Sequence, residues 1–196
     1  MKKEKIAIIR YNAGNIESVK NALDRLGVES FVTGNADAIQ QADKVIFPGV
    51  GNAASAMTYL RVQGLDKLLC ELKQPVLGIC LGMQLFSSFS EEGNTKCLGV
   101  LPAKVKKFTG TEKIPHMGWN RISNLSSPLF KGVEEGSYAY FVHSYYMPLT
   151  EKTTATSDYI QPFTAALNTE NFYATQFHPE KSGEVGELIL KNFTEL

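Results

Sequence analysis

Four short apolar runs, each halted by turn-forming residues and followed by a segment of helical periodicity, constrain the first half of this chain more than anything else in it. Lys5-Ile6-Ala7-Ile8-Ile9-Arg10-Tyr11 stops at Asn12-Ala13-Gly14-Asn15, residues 28–32 follow, Lys44-Val45-Ile46-Phe47 stops at Pro48-Gly49-Val50-Gly51, and residues 75–79 close the series. Continuous apolar, β-branched runs of this length suit strands buried on both faces. After the first run, Ile16, Val19, Leu23 and Leu26 keep one face of a 3.6-residue period, with Asn15 placed to cap the start and Gly27 the end. Residues 37–42 read as a short helical turn, 53–72 as a helical stretch broken at Gly64, and 81–89 as the helix after the fourth strand. Strand alternating with helix predicts an α/β fold, a mostly parallel central sheet with helices on both faces and right-handed crossovers. The ligand site of such a sheet lies at the carboxyl ends of its strands.

From Cys97 onward the texture changes. Strand-like segments at 100–108, 119–122, 138–146, 153–157, 163–166 and 172–177 are joined by polar turns, with a hairpin loop at Asn168-Thr169-Glu170-Asn171. They add antiparallel strands to the C-terminal half. A last helix over 183–196 carries Val185, Leu188, Ile189 and Phe193 on one face. No repeat or linker divides the chain, and 196 residues are one domain's worth, so a single domain over 1–196 is expected. Twenty basic residues balance twenty acidic ones, which gives no long-range field for nucleic acid or an anionic membrane. Lacking a signal-peptide core or an apolar run near the ~20 residues of a membrane span, the chain reads as soluble and cytosolic. Three cysteines and three histidines without a Cys-x-x-Cys pair do not match a zinc site, and nothing calls for a cofactor.

Gly78-Ile79-Cys80-Leu81-Gly82 has the form Gly-x-nucleophile-x-Gly, directly after an apolar strand and directly before a helix, which is the setting of a nucleophile elbow. Small residues are needed two positions either side because neighbouring β-carbons would collide in so tight a turn. A helix N-terminus favours negative charge on the sulfur, and the Leu81 N–H points toward an oxyanion formed there. Taken alone, the same pentapeptide also describes a buried structural cysteine. Cys70, in an apolar helical stretch, and Cys97, beside Leu98-Gly99, read as packing residues. Gln176-Phe177-His178-Pro179-Glu180 supplies a base at the end of an apolar strand. In an extended segment His178 and Glu180 leave the same face, roughly 6–7 Å apart. One imidazole nitrogen can then address the thiol while the carboxylate holds the other; alone the pair also describes a surface ion pair, but together with the elbow Cys80, His178 and Glu180 are read as a triad. Pro48-Gly49-Val50-Gly51 is either an ordinary strand-to-helix turn or, on the same sheet edge as Cys80, a source of backbone N–H groups for an oxyanion hole.

Together, Gly78-Ile79-Cys80-Leu81-Gly82-Met83-Gln84, Phe177-His178-Pro179-Glu180 and the 48–51 turn resemble the class I (triad) glutamine amidotransferases, over nearly the whole chain. Within that family, Pro48-Gly49-Val50-Gly51, Pro115-His116-Met117-Gly118-Trp119-Asn120 and Glu180-Lys181-Ser182 are similar to blocks of the glutaminase subunit of imidazole glycerol phosphate synthase. The resemblance implies a flavodoxin-like α/β fold and glutamine hydrolysis by Cys80, His178 and Glu180, with an oxyanion hole built from Leu81 and the loop residues Gly49, Val50 and Gly51. It also implies that Gly51, Gln84, Ser144 and Tyr145 bind the amino-acid end of glutamine, with no metal or cofactor. Ammonia would pass to a (β/α)₈-barrel cyclase partner in a heterodimer, making imidazole glycerol phosphate and aminoimidazole carboxamide ribotide in histidine biosynthesis. Such a barrel alone takes ~250 residues, so the acceptor chemistry belongs to another polypeptide.

Met117, Trp119, Asn120 and Lys181 become candidates for the docking face, with core packing an equal reading for Trp119. His116 and His143 read as structural or loop-shaping residues. The family's first strand often ends in Asp-Tyr-Gly-x-Gly-Asn; here Arg10 and Asn12 replace the acid and the first glycine near the active edge, where partner contacts and allosteric coupling would be set. The 49–51 loop is expected to be an allosteric gate, since a peptide carbonyl turned into the site would hide an oxyanion donor. Three other readings stay open: a paralogous glutaminase feeding a different synthase, such as one aminating a nucleotide sugar, a non-catalytic regulatory subunit, and a cysteine hydrolase or chaperone of related α/β build acting on other amides.

Overall fold

A computed structural model describes residues 4–12 and 15–196; Ala13 and Gly14 of the expected first turn lie outside the described residues. In chain order the regular elements are β1 (Ile6–Ile9), α1 (Ile16–Arg25), β2 (Ser30–Thr33), α2 (Ala36–Gln40), β3 (Lys44–Phe47), α3 (Ala53–Val62), α4 (Leu65–Glu71), β4 (Val76–Ile79) and α5 (Leu81–Leu85). There follow β5 (Phe89–Ser90), β6 (Thr95–Lys96), β7 (Lys104–Lys107), β8 (His116–Arg121), β9 (Tyr138–His143), β10 (Tyr145–Tyr146), β11 (Thr153–Tyr159), β12 (Gln161–Thr169), β13 (Phe172–Thr175) and α6 (Gly183–Thr194).

The main sheet has the order β11-β12-β13-β4-β3-β1-β2. Its β2, β1, β3, β4 and β13 run parallel, and β12 and β11 continue the sheet antiparallel. This is the α/β arrangement that the alternating runs predict. Successive residues of β1 go to opposite sides: Ala7 and Ile9 join the core under α2, α3, α4 and α5, whereas Ile6 and Ile8 join the core under α1 and α6. Burial on both faces is why these strands carry apolar side chains at consecutive positions. Two smaller sheets, β10-β7-β5-β6 and the antiparallel β8-β9 pair, flank the main one.

Most expected breaks fall where the chain chemistry places them. Gly64, at φ 68, separates α3 from α4, and Gly27, at φ 70, follows the end of α1 in the left-handed conformation that glycine adopts without steric cost. Two expectations need correction. The helix after Cys80 ends at Leu85 and not near residue 89, because the carbonyls of Leu85, Phe86, Ser87 and Ser88 accept N–H groups of Leu98, Leu101, Gly99 and Cys97. Those bonds replace the next helical turn and turn Phe89 into a strand. Asn15 does not cap α1 through its side chain: its φ is 73, and its amide donates elsewhere, to Glu180.

The register of the central strands sets β4 between β3 and β13. The loops after these three strands, carrying residues 48–51, 80 and 176–180, therefore leave the same sheet edge side by side. Gly82 makes the close approach possible, since a Cβ there would stand 2.1 Å from the Phe47 carbonyl oxygen. Gly82→Ala should accordingly cost about 3 kcal/mol. Gly64→Ala has open space around its Cβ and should cost only the left-handed backbone term, ~1 kcal/mol. Urea unfolding midpoints of the two variants check this order, and equal losses would contradict it.

Candidate active site

Cys80 joins β4 to α5 at φ 52, ψ −104, a conformation that L side chains rarely adopt. Its N–H donates to the Thr175 carbonyl at 2.8 Å and its carbonyl accepts from Gln84 N–H at 3.1 Å, so both neighbouring elements hold the strained residue. A Cβ on Gly78 would lie 2.5 Å from the Phe86 ring. Small residues on either side of Cys80 are thus demanded by a phenylalanine ring and by the Phe47 carbonyl. The thiol faces a cavity of about 300 Å³ lined by Val50, Gly51, Leu81, Gln84, Glu92, Pro115, Val142, His143, Ser144 and Tyr145.

His178 follows β13 and is tied to β9 by its N–H, which donates to the Tyr140 carbonyl at 2.9 Å. Its Nδ1 lies 2.8 Å from Glu180 Oε1, and both side chains are buried. The extended geometry expected for this pair is corrected: Pro179–Lys181 is a single 3-10 turn, which folds the carboxylate back under the ring. Asn15 also donates its side-chain amide to Glu180 Oε1, a contact that sequence spacing does not reveal. The remaining nitrogen, His178 Nε2, is buried without a hydrogen-bond partner among the described residues. Burial by itself would lower the His178 pKa, but the nearby charge of Cys80, followed by the hydrogen bond and charge of Glu180, outweighs it and raises it to about 10.

The 48–51 loop is anchored by Tyr11, whose buried hydroxyl donates to the Pro48 carbonyl at 2.7 Å. Burial, with the charge of Cys80 adding to it, pushes that phenol far above its usual range. In this conformation the Leu81 N–H is engaged, donating to the Gly49 carbonyl at 3.3 Å. Gly51, at φ 119, and Val50 line the cavity beyond it. Gln84 reaches across the site, its Nε2 donating to the Tyr145 carbonyl at 2.9 Å and to Gln176 Oε1 at 3.1 Å. Gln176, fully buried, places its own Nε2 3.6 Å from Cys80 Sγ. It sits two residues before His178, and sequence reasoning misses it because a glutamine carries no nucleophile, base or charge to mark it.

The residues expected at a docking face separate. Met117 and Trp119 are 62% and 56% exposed on one side of β8, and Lys181 is exposed on the turn after His178. Asn120 lies on the opposite side of the strand, with its Nδ2 3.2 Å from His116 Nε2 and 2.9 Å from the Asp158 carbonyl. Tyr138, 49% exposed and paired with Arg121 across the β8-β9 ladder, joins the Trp119 side. Cys70 is exposed and Cys97 buried, and in both cases burial heads the causes that push the thiol up. Among the described residues no group of three or more His, Cys, Asp or Glu is placed to hold a metal ion, and no helix is long and apolar enough to cross a membrane.

A family profile described as glutamine amidotransferase class-I matches residues 7–196. The chain belongs to the class I glutamine amidotransferase family. Among relatives of this amidotransferase, a protein of Bacteroides fragilis (strain YCH46) named "Imidazole glycerol phosphate synthase subunit HisH" is 60% identical, over 98% of this chain and 100% of its own length. Proteins of the same name from Bacteroides thetaiotaomicron and Pasteurella multocida are 54% and 47% identical, the first over 98% of this chain and 100% of its own length, the second over 98% of both. The crystal structure of a GMP synthase-like protein from Thermoplasma acidophilum superposes with TM-score 0.76 at 20% identity, covering 100% of this chain and 94% of that one, which shows the shared fold.

For this amidotransferase the environment of His178 gives a test with a definite sign. Cys80→Ala removes the leading influences that raise its pKa, leaving burial opposed only by Glu180, so the His178 pKa should fall well below about 10 in an NMR titration. An unchanged value would show that Cys80 does not act on the ring. Because the folded-state pKa is raised, the stabilisation from protonated His178 is complete below about 6.5 and is lost as pH rises through about 10.

Proposed function

We propose that the chain is the glutaminase subunit of imidazole glycerol phosphate synthase, acting as one domain over residues 1–196 in the cytoplasm. The observation that carries the chemistry is the commitment of His178 Nδ1 to Glu180, which leaves the buried Nε2 for the Cys80 thiol. The Cys80 sulfur attacks the side-chain amide carbon of glutamine, forming a C–S bond and a tetrahedral oxyanion. His178 delivers the thiol proton to the leaving nitrogen; the C–N bond breaks, ammonia departs, and a γ-glutamyl thioester remains. The same ring then takes a proton from water, hydroxide attacks the thioester, and glutamate and the thiol are restored. Glu180 fixes the tautomer and balances the imidazolium charge, and Asn15 keeps the carboxylate in place.

The oxyanion donors of this reading are the N–H groups of Leu81 and the 49–51 loop. Since Leu81 N–H is held by the Gly49 carbonyl, the loop acts as a gate: rotation of the Gly49–Val50 peptide releases the donor. Gly51, Gln84, Ser144 and Tyr145 surround the amino-acid end of glutamine in the cavity.

Ammonia that escapes into neutral water becomes ammonium and loses its nucleophilicity, so the site needs an acceptor enzyme close by. The names and full-length coverage of the relatives support a cyclase of histidine biosynthesis as that enzyme. The cyclase of this proposal is a (β/α)₈ barrel that receives ammonia through its core and aminates a phosphorylated ribulosyl-aminoimidazole intermediate. Its docking face is the exposed Met117, Trp119 and Tyr138 side of β8-β9, beside Lys181. Trp119 is too exposed for the core-packing role and has the character of an interface anchor.

The test is glutamate release by the purified chain, alone and mixed with the cyclase and its ribotide substrate. Activity should be low alone and rise strongly in the full mixture, and Cys80→Ala should lower it by roughly 10⁴-fold or more. Survival of activity in that variant would remove the triad reading; stimulation by another synthase instead would move the acceptor while leaving the hydrolysis intact. Trp119→Ala should weaken partner binding by about 2 kcal/mol, roughly 30-fold, in a titration.

A further inference from the structure

His116 and His143 are buried opposite one another on β8 and β9 and take no part in the hydrolysis described above. Their hydrogen bonds nevertheless have only one possible direction. The Tyr145 carbonyl cannot donate, so His143 Nδ1, 2.8 Å away, carries the proton. His143 Nε2 is then bare and accepts from His116 Nδ1 at 2.9 Å. That leaves His116 Nε2 bare, facing the Asn120 amide at 3.2 Å. Both rings are neutral: burial lowers the pKa of His116 to about 4 and is the main cause lowering that of His143 to about 3.

The chain does not end at Tyr145. The same carbonyl accepts from Gln84 Nε2, whose second N–H goes to Gln176 Oε1, and this orients Gln176 Nε2 toward Cys80 Sγ. A single polar path thus runs from Asn120, behind the Trp119 face, to the sulfur. We propose that His116, His143 and Gln176 are positioning residues of the glutamine site, holding the Tyr145 peptide, the Gln84 amide and the Cys80 sulfur in register through these two runs of hydrogen bonds, which meet at the Tyr145 carbonyl. The role at Gln84 and Tyr145 rests on the glutaminase reading; the contact of Gln176 with the sulfur does not. With both Gln84 N–H bonds committed, the atom that Gln84 offers a ligand in the cavity is its carbonyl oxygen, an acceptor suited to the α-ammonium of an amino acid. An N–H aimed at sulfur likewise holds the nucleophile in place.

Two measurements test the chain. Iodoacetamide alkylation at pH 7 should be about tenfold slower at Cys80 in Gln176→Glu, which substitutes an acceptor for the donor, while the exposed Cys70 reacts as before and serves as internal reference. Glutamine kinetics of the complex with the cyclase should show KM about tenfold higher in His143→Leu with kcat little changed, and His143→Asn, which keeps a donor for the Tyr145 carbonyl, should recover most of the loss. A merely structural histidine would lower the amount of active enzyme and leave KM alone. Wild-type alkylation rates in Gln176→Glu, or an unaltered KM in His143→Leu, would overturn the proposal. Should His143→Leu fail to fold, ¹⁵N NMR of the unaltered protein decides: both His116 and His143 must carry their proton on Nδ1, and an Nε2–H tautomer at either breaks the chain. If the complex turns over no glutamine at all, the glutaminase reading fails, while the alkylation result still judges the Gln176 contact.

Discussion

Between β4 and α5 the backbone changes from extended to helical within one residue, and that residue is not glycine. Cys80 holds φ 52 because Gly78 lies against the Phe86 ring, Gly82 lies against the Phe47 carbonyl, and Thr175 accepts the Cys80 N–H from the neighbouring strand. The strain is of the order of 1–3 kcal/mol and is supported by a sheet whose strands are buried on both faces. Releasing it would rotate the thiol away from the edge where the 48–51 and 176–180 segments also emerge. The order β13-β4-β3 is therefore a functional fact as well as a structural one. It brings three loops that are far apart in the chain to one edge of the sheet.

Three histidines in three surroundings show how the fold assigns roles to one side chain. His116 and His143 are desolvated without a carboxylate partner and stay neutral, which suits residues that pass hydrogen bonds in a fixed direction. His178 is as deeply buried, yet Glu180 on one nitrogen and Cys80 toward the other reverse the sign of its shift. Burial and pairing compete at each ring, and only the paired one becomes a proton carrier in the proposed chemistry.

The parallel sheet was legible because buried strands leave uninterrupted apolar runs and because glycine and proline mark their ends; Lys44–Phe47 and the break at Gly64 fall where those signals put them. Cys80, His178 and Glu180 were legible because each carries a reactive group in a telling local context. Contacts set by the tertiary arrangement were not. Asn15 has the look of a helix cap, a role its side chain would fill in an isolated helix, but the packing of α1 beside the 179–181 turn gives its amide a carboxylate. Asn120 falls with Trp119 by proximity in sequence, although strand alternation puts them on opposite faces. Gln176 and the His116–His143 pair depend on strands distant in sequence, and the short α5 depends on the 97–101 loop returning to its last carbonyls.

The central claim is that the strained Cys80 is the group that bonds to substrate carbon. Rapid acid quenching of the chain turning over glutamine with its cyclase partner, followed by peptide mass spectrometry, tests it most directly. The account predicts a γ-glutamyl adduct on the peptide containing Cys80 and on no other cysteine. An adduct on Cys70 or Cys97, or steady turnover with Cys80 never acylated, would contradict it.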